Sequence, residues 1–146
     1  NIIRKIWYTL YYKTHASQQK KYYSFDMVEM FNNYKMCLVG EEILGVPGIG
    51  AIEGMACGCA MFGLNTGMYE DYGMHDGVHY IGHSGTLEDI IEKIRYWQLP
   101  EHQEELERIA TTGCEYVRKN FQGDVVAEHL MKELVLLRDE KLSAKK

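Results

Sequence analysis

The stretch "GVPGIGAIEGMACGCAMFGL", residues 45–64, places five glycines within residues 45–58 around a lone glutamate, Glu53, and then runs into apolar residues. Glycine inside a helix costs about 1 kcal/mol relative to alanine. So many glycines therefore ask for a reason: unusual dihedrals, or close approach of something to the backbone. Residues 41–48 read as a loop and residues 49–57 as a helix that Gly58 stops. "GCAMFGL" then has the length and apolarity of a buried strand.

The same alternation extends outward in both directions. Upstream, "YKMCLVG" reads as a brief buried strand closed by Gly40, and Asp26 caps a short helix with Val28, Phe31 and Tyr34 inward. Ile2, Ile3, Ile6, Trp7, Leu10 and Tyr11 recur at helical spacing and predict a helix over residues 2–13. Downstream, "NTGMYEDYGMHDG" holds turn formers and little periodicity, and "VHYIG" reads as a third strand. Thr86 caps a helix with the stripe Leu87, Ile90, Ile91, Ile94 and Trp97. Pro100 suits the first turn of another helix, carrying Leu106, Ile109, Val117 and Phe121. Asp124 caps the last, with Val125, Leu130, Leu134 and Leu137 inward.

Strands alternating with helices predict an α/β fold, a partial Rossmann-like parallel sheet with flanking helices. Three segments follow: an N-terminal helical segment over residues 1–25, a nucleotide-sugar-binding domain in part over 26–123, and a C-terminal helix with a lysine tail over 124–146. The start on Asn1 suggests that the first segment was cut from a larger protein.

Composition narrows the function. With 46% hydrophobic and 25% charged residues the chain is globular, and no apolar run reaches the roughly 18 residues of a membrane span. Residues 1–40 carry six Lys/Arg against two Asp/Glu, the remainder ten against nineteen; the net charge of −5 argues against a nucleic-acid partner. Cys37, Cys57, Cys59 and Cys114 lack zinc-like spacing and suit small buried thiols in a reducing cytoplasm. His75, His79 and His83 recur every fourth residue, but in loop and strand rather than on a helix, so no metal site is expected. Glu70 and Asp71 are adjacent, point apart and read as solvated loop charges. The tyrosines and Trp7 of the first segment predict an exposed aromatic surface, covered by a missing domain or by self-association.

Parallel sheets bind ligands beyond the carboxyl ends of their strands, where "GVPGIG" and "NTGMYED" both fall. A helix beginning near Ile49 offers unpaired N–H groups and a partial positive charge, a site suited to phosphate. Gly48 and Gly50 would let an anion approach. Glu53, one turn further in, would hang beside it and accept hydrogen bonds from sugar hydroxyls.

The order "GIGAIEGMACGCAMFGLNTGMYEDYGMHDGVHYI" resembles the group-1 glycosyltransferases, in the C-terminal domain of their two-domain GT-B fold. It is similar to the subgroup of spore-maturation glycosyltransferase-like proteins. "LEDIIEKIRYW" and "IATTGCEYVRKNF" resemble the helices that close such domains, and the resemblance spans about residues 26–135. It implies that Glu53 grips the nucleotide ribose, that Gly48, Ile49 and Gly50 face the diphosphate, and that Thr66 and Gly67 lie near the donor. The donor would be a UDP-sugar or another nucleoside-diphosphate sugar, with no further cofactor and an unspecified acceptor.

Two departures stand out. The family often has a second glutamate eight positions before the first, and this chain has Gly45 there, with Glu41 and Glu42 nearby. The basic pair that neutralises the diphosphate and the acceptor-binding domain belong to earlier sequence. The chain therefore reads as the last portion of a glycosyltransferase, inactive alone, with no catalytic residue assigned. A nucleotide-sugar epimerase and a non-catalytic interaction domain that kept the fold are the alternatives, the latter favoured by Gly45.

Overall fold

A computed structural model describes residues 2–22 and 26–143 of the chain. In chain order the elements are α1 (Ile2–Tyr22), α2 (Met27–Asn32), β1 (Met36–Leu38), α3 (Ile49–Ala56), β2 (Ala60–Leu64) and α4 (Gly67–Asp71). They continue with β3 (Ile81–His83), α5 (Leu87–Trp97), α6 (Gln103–Asn120) and α7 (Gly123–Ser143), with short 3₁₀ turns at Ile43–Gly45 and Pro100–His102. The three strands form one parallel sheet in the order β1–β2–β3, with Cys37 opposite Met61 and Gly63 opposite Gly82.

Alternation along β2 builds the core. Met61 packs with Ala51 and Met55 of α3 and with Tyr69, Met74, Tyr80 and Val117. Ala60 and Phe62 join Ile81 and the α6 residues Leu106, Ile109 and Ala110. A central strand covered on both faces reads as a continuous apolar run, which is why its sequence was legible. Gly54 brings α3 close to the sheet: a Cβ there would stand 2.7 Å from Cys37 Sγ and 3.2 Å from the Phe31 ring.

Two of the three predicted caps form; Asp124 instead lies inside α7, which starts at Gly123, and accepts the adjacent Val125 N–H at 2.9 Å. Asp26 accepts the Glu29 N–H at 3.0 Å, and Thr86 Oγ1 accepts the Asp89 N–H at 3.3 Å. The Ser84 N–H also donates to Asp89 at 2.6 Å, so the carboxylate closes the turn into α5.

Elsewhere the elements differ from expectation. α1 continues through "KTHASQQKK" to Tyr22, because that stretch contains no Gly or Pro and is rich in Lys and Gln. The segment after β2, expected as loop, contains α4. β3 is shifted to "IGH", since Gly77 turns with φ 71° and Tyr80 makes only an isolated bridge to Asp76.

Several residues expected to point inward do not. Val28, Tyr34, Leu87 and Ile91 are exposed, and Leu130, Leu134 and Leu137 of α7 are about half exposed, no residue of that helix being buried. A three-stranded sheet offers area for α3, α5 and α6, and little beyond. The expected exposed surface on α1 is present, with Ile2, Ile3, Ile6 and Trp7 all exposed and the Trp7 ring stacked on Tyr11 at 5.9 Å. All four cysteines are free, but only Cys59 is buried, its thiol 3.2 Å from the carbonyl oxygens of Phe31 and Tyr34. No described helix is long and apolar enough to cross a membrane.

Candidate functional site

The parallel register sends the chain out of β1 and β2 at one edge of the sheet, so the loops holding Gly48 and Thr66 start side by side. The loop after β1 closes on itself. Glu42 N–H donates to the Val46 carbonyl at 2.8 Å and Gly45 N–H to the Glu42 carbonyl at 3.0 Å. Gly45 sits at φ 73°, a conformation open to glycine and strained for a glutamate.

α3 starts with Gly48 as an extended N-cap that has no side-chain partner, and the Ala51 N–H turns back to the Gly48 carbonyl at 2.9 Å. The amides before it are the open donors of a helix start. Gly48 itself is buried: a Cβ would meet the Gly40 carbonyl oxygen at 3.0 Å, so the missing side chain serves loop closure. Gly50 is half-buried against Val39, and Ile49 is exposed. Glu53 is exposed on the side of α3 away from Ala51 and Met55, and its carboxylate has no protein partner among the described residues.

The second loop contributes a different signal. Thr66 opens α4, yet its hydroxyl makes no cap bond and is buried without a hydrogen-bond partner. A buried, unsatisfied hydroxyl costs roughly 1–3 kcal/mol unless something supplies a partner. Gly67 beside it is exposed, with open space where a Cβ would be. Behind the loop the Asn65 N–H donates to the His83 carbonyl at 2.8 Å, and the Asn65 amide approaches Asp76 at 3.4 Å.

Glu41 joins the two loops, and sequence reasoning left it without a role. Its Oε1 accepts the Leu64 N–H at 2.6 Å and the Tyr69 hydroxyl at 3.0 Å. Burial first, and then the Glu41 carboxylate, push the Tyr69 phenol well up, so it stays a donor at neutral pH. The only signal in the sequence was proximity to the glycine loop.

The histidines do not converge. The His79 ring accepts the His75 N–H at 3.0 Å, with burial and then His75 lowering its pKa. His83 accepts the Gly85 N–H at Nδ1, 3.0 Å, leaving a buried Nε2 without a partner. Among the described residues no group of three His, Cys, Asp or Glu could hold a metal ion. Glu70 and Asp71 are exposed on α4. Grooves of about 320 and 350 Å³ flank the sheet, the first beside Lys35, Cys57 and Gln103 and the second beside Asp89, Tyr96 and Trp97.

A family model described as glycosyl transferase-like matches residues 5–132. No curated protein and no solved structure matches the chain.

Proposed function

The chain belongs to the glycosyl transferase-like family, and on that premise we propose that it carries the donor-nucleotide part of a glycosyltransferase. That enzyme would move a sugar from a nucleoside-diphosphate sugar, such as a UDP-sugar, to an acceptor. The observation that carries the proposal is the pair of loops after β1 and β2, which leave the sheet at the same end, one opening into the start of α3 and the other carrying the Thr66 hydroxyl, which has no hydrogen-bond partner. The α3 amides and helix dipole would hold the diphosphate, whose charge grows as the sugar leaves. Thr66 would donate its hydroxyl to a phosphate oxygen, and Glu53 would accept hydrogen bonds from the ribose hydroxyls. The resemblance to the C-terminal domain of GT-B enzymes, and to the spore-maturation subgroup, supports this division of labour. On this reading transfer needs a further domain for the acceptor, and the chain alone binds without turning over. Four free thiols support a reducing compartment such as the cytoplasm.

A non-catalytic domain that kept the fold is the second reading, favoured by Gly45 at the family's sugar-contacting position and by a backbone there that disfavours a side chain. Calorimetric titration with UDP tests the first. A hydrogen bond to a charged group contributes about 1.5–3 kcal/mol, so Glu53→Ala should weaken UDP binding roughly ten- to a hundredfold. The melting temperature should hold, because Glu53 is exposed and unpartnered. Unchanged affinity in a folded Glu53→Ala variant would end the ribose assignment.

A further inference from the structure

We propose that Glu41 is a positioning residue that sets the two donor-facing loops at a fixed separation; this rests on the donor-binding reading above. The ladder between β1 and β2 ends at the Leu38–Phe62 pair. In a parallel pair every second residue of a strand turns its N–H toward the same neighbour. Ala60 donates to the Lys35 carbonyl, so Leu64 also turns its N–H toward the β1 side, where β1 has already left the sheet. The Glu41 carboxylate takes the place of the absent strand carbonyl, at 2.6 Å.

The same oxygen anchors the loop to the core. Tyr69, whose hydroxyl it accepts, is fully buried; its ring stacks on Tyr80 at 4.5 Å and fills the space left by Gly63. Glu41 is therefore fixed to the start of the Thr66 loop by one bond and to α4 by the other. Its own backbone leads into the closed turn over residues 42–46, and Gly48 packs on the Gly40 carbonyl beside it. A shift of Glu41 would move the start of α3 relative to Thr66. Diphosphate contact with both loops requires that separation to be right, and misplacement by about 1 Å is enough to cost binding and rate.

The role is geometric, so the acceptor oxygen matters and the charge does not. UDP titration and thermal melts of the unchanged chain, Glu41→Ala, Glu41→Gln and Glu53→Ala test it. Glu41→Ala should lose about tenfold in UDP affinity, the lower end for a lost hydrogen bond to a charged group. Glu41→Gln keeps an oxygen in place and should recover most of that loss. A folded Glu41→Ala chain that binds UDP like the unchanged one overturns the positioning role, as does a Glu41→Gln chain that binds no better than Glu41→Ala. Should Glu41→Ala not fold, Tyr69→Phe removes one of the two anchors and should weaken UDP binding severalfold; unchanged affinity there overturns the role equally. Loss of binding in Glu53→Ala with none in Glu41→Ala sinks this inference alone. Absence of UDP binding by the unchanged chain sinks the donor-binding reading and this inference with it.

Discussion

Gly54→Ala is expected to lower stability by about 1 kcal/mol, against the ordinary preference of a helix for alanine. Replacing a helix glycine by alanine gains about 1 kcal/mol of intrinsic propensity. The new methyl, however, would stand 2.7 Å from Cys37 Sγ, 0.7 Å inside the 3.4 Å at which ordinary contact begins, and 3.2 Å from the Phe31 ring. Both neighbours lie where α3 meets β1 and α2, Phe31 buried and Cys37 half-buried, so the methyl has to displace packed side chains. Overpacking of this kind costs about 1–3 kcal/mol, which outweighs the gain. For a chain of this length a net 1 kcal/mol lowers the melting temperature by roughly 3 °C. The cause is separable: in a Cys37→Ala background the clashing sulfur is gone, and Gly54→Ala should become neutral or stabilising. Urea melts of the four chains in that cycle give the coupling directly, expected at about 1–2 kcal/mol. A Gly54→Ala chain as stable as its parent, with no coupling to position 37, would refute the claim that Gly54 sets how closely α3 approaches the sheet.

Two further expectations concern titrating groups. The Ser84 N–H first, then its side chain and Lys93, hold the Asp89 carboxyl below its usual range, so its stabilisation is present above the unfolded pKa and lost as pH falls through the folded one. Asp89→Asn should therefore flatten the acid limb of a melting-temperature profile below about pH 4, and an unchanged limb would exclude the contribution. Burial, followed by Cys59 and Cys57, pushes the Cys37 thiol up to about 12. Mass-resolved alkylation with iodoacetamide at pH 8 should leave Cys37 unmodified in the native protein, and early labelling there would contradict that environment.

The sheet was legible because β2 is a central strand: buried on both faces, it reads as one apolar run between glycine stops. Asp26 and Thr86 were legible because a cap is a local hydrogen bond between residues three apart. Length and burial of the outer helices were not. The apolar stripe on α7 has helical spacing whether or not a sheet lies beneath it, and here Leu130, Leu134 and Leu137 find none. At the candidate site, the neighbourhood of the two loops followed from parallel strands alone. Glu41 did not, because its partners Leu64 and Tyr69 lie 23 and 28 residues away and become neighbours only once β1 stops short. Gly48 illustrates the converse: the glycine pattern was visible, but its use, contact with the Gly40 carbonyl, depends on the tertiary fold.

The two margins of the sheet are chemically unequal. The Asn65 N–H donates to the His83 carbonyl, so His83 faces β2 and Gly82, one residue back, turns its amide outward. There the Asp76 carboxylate accepts it at 2.6 Å and sits so close that a Cβ on Gly82 would overlap it. β3 thus ends in a built-in terminator, an anion that satisfies its outward donor and repels any carbonyl arriving to pair with it. β1 is the opposite margin, its outward-facing Met36 and Leu38 on a strand whose only neighbour among the described residues is β2. At Gly82 the outward side of β3 is therefore closed to further backbone pairing.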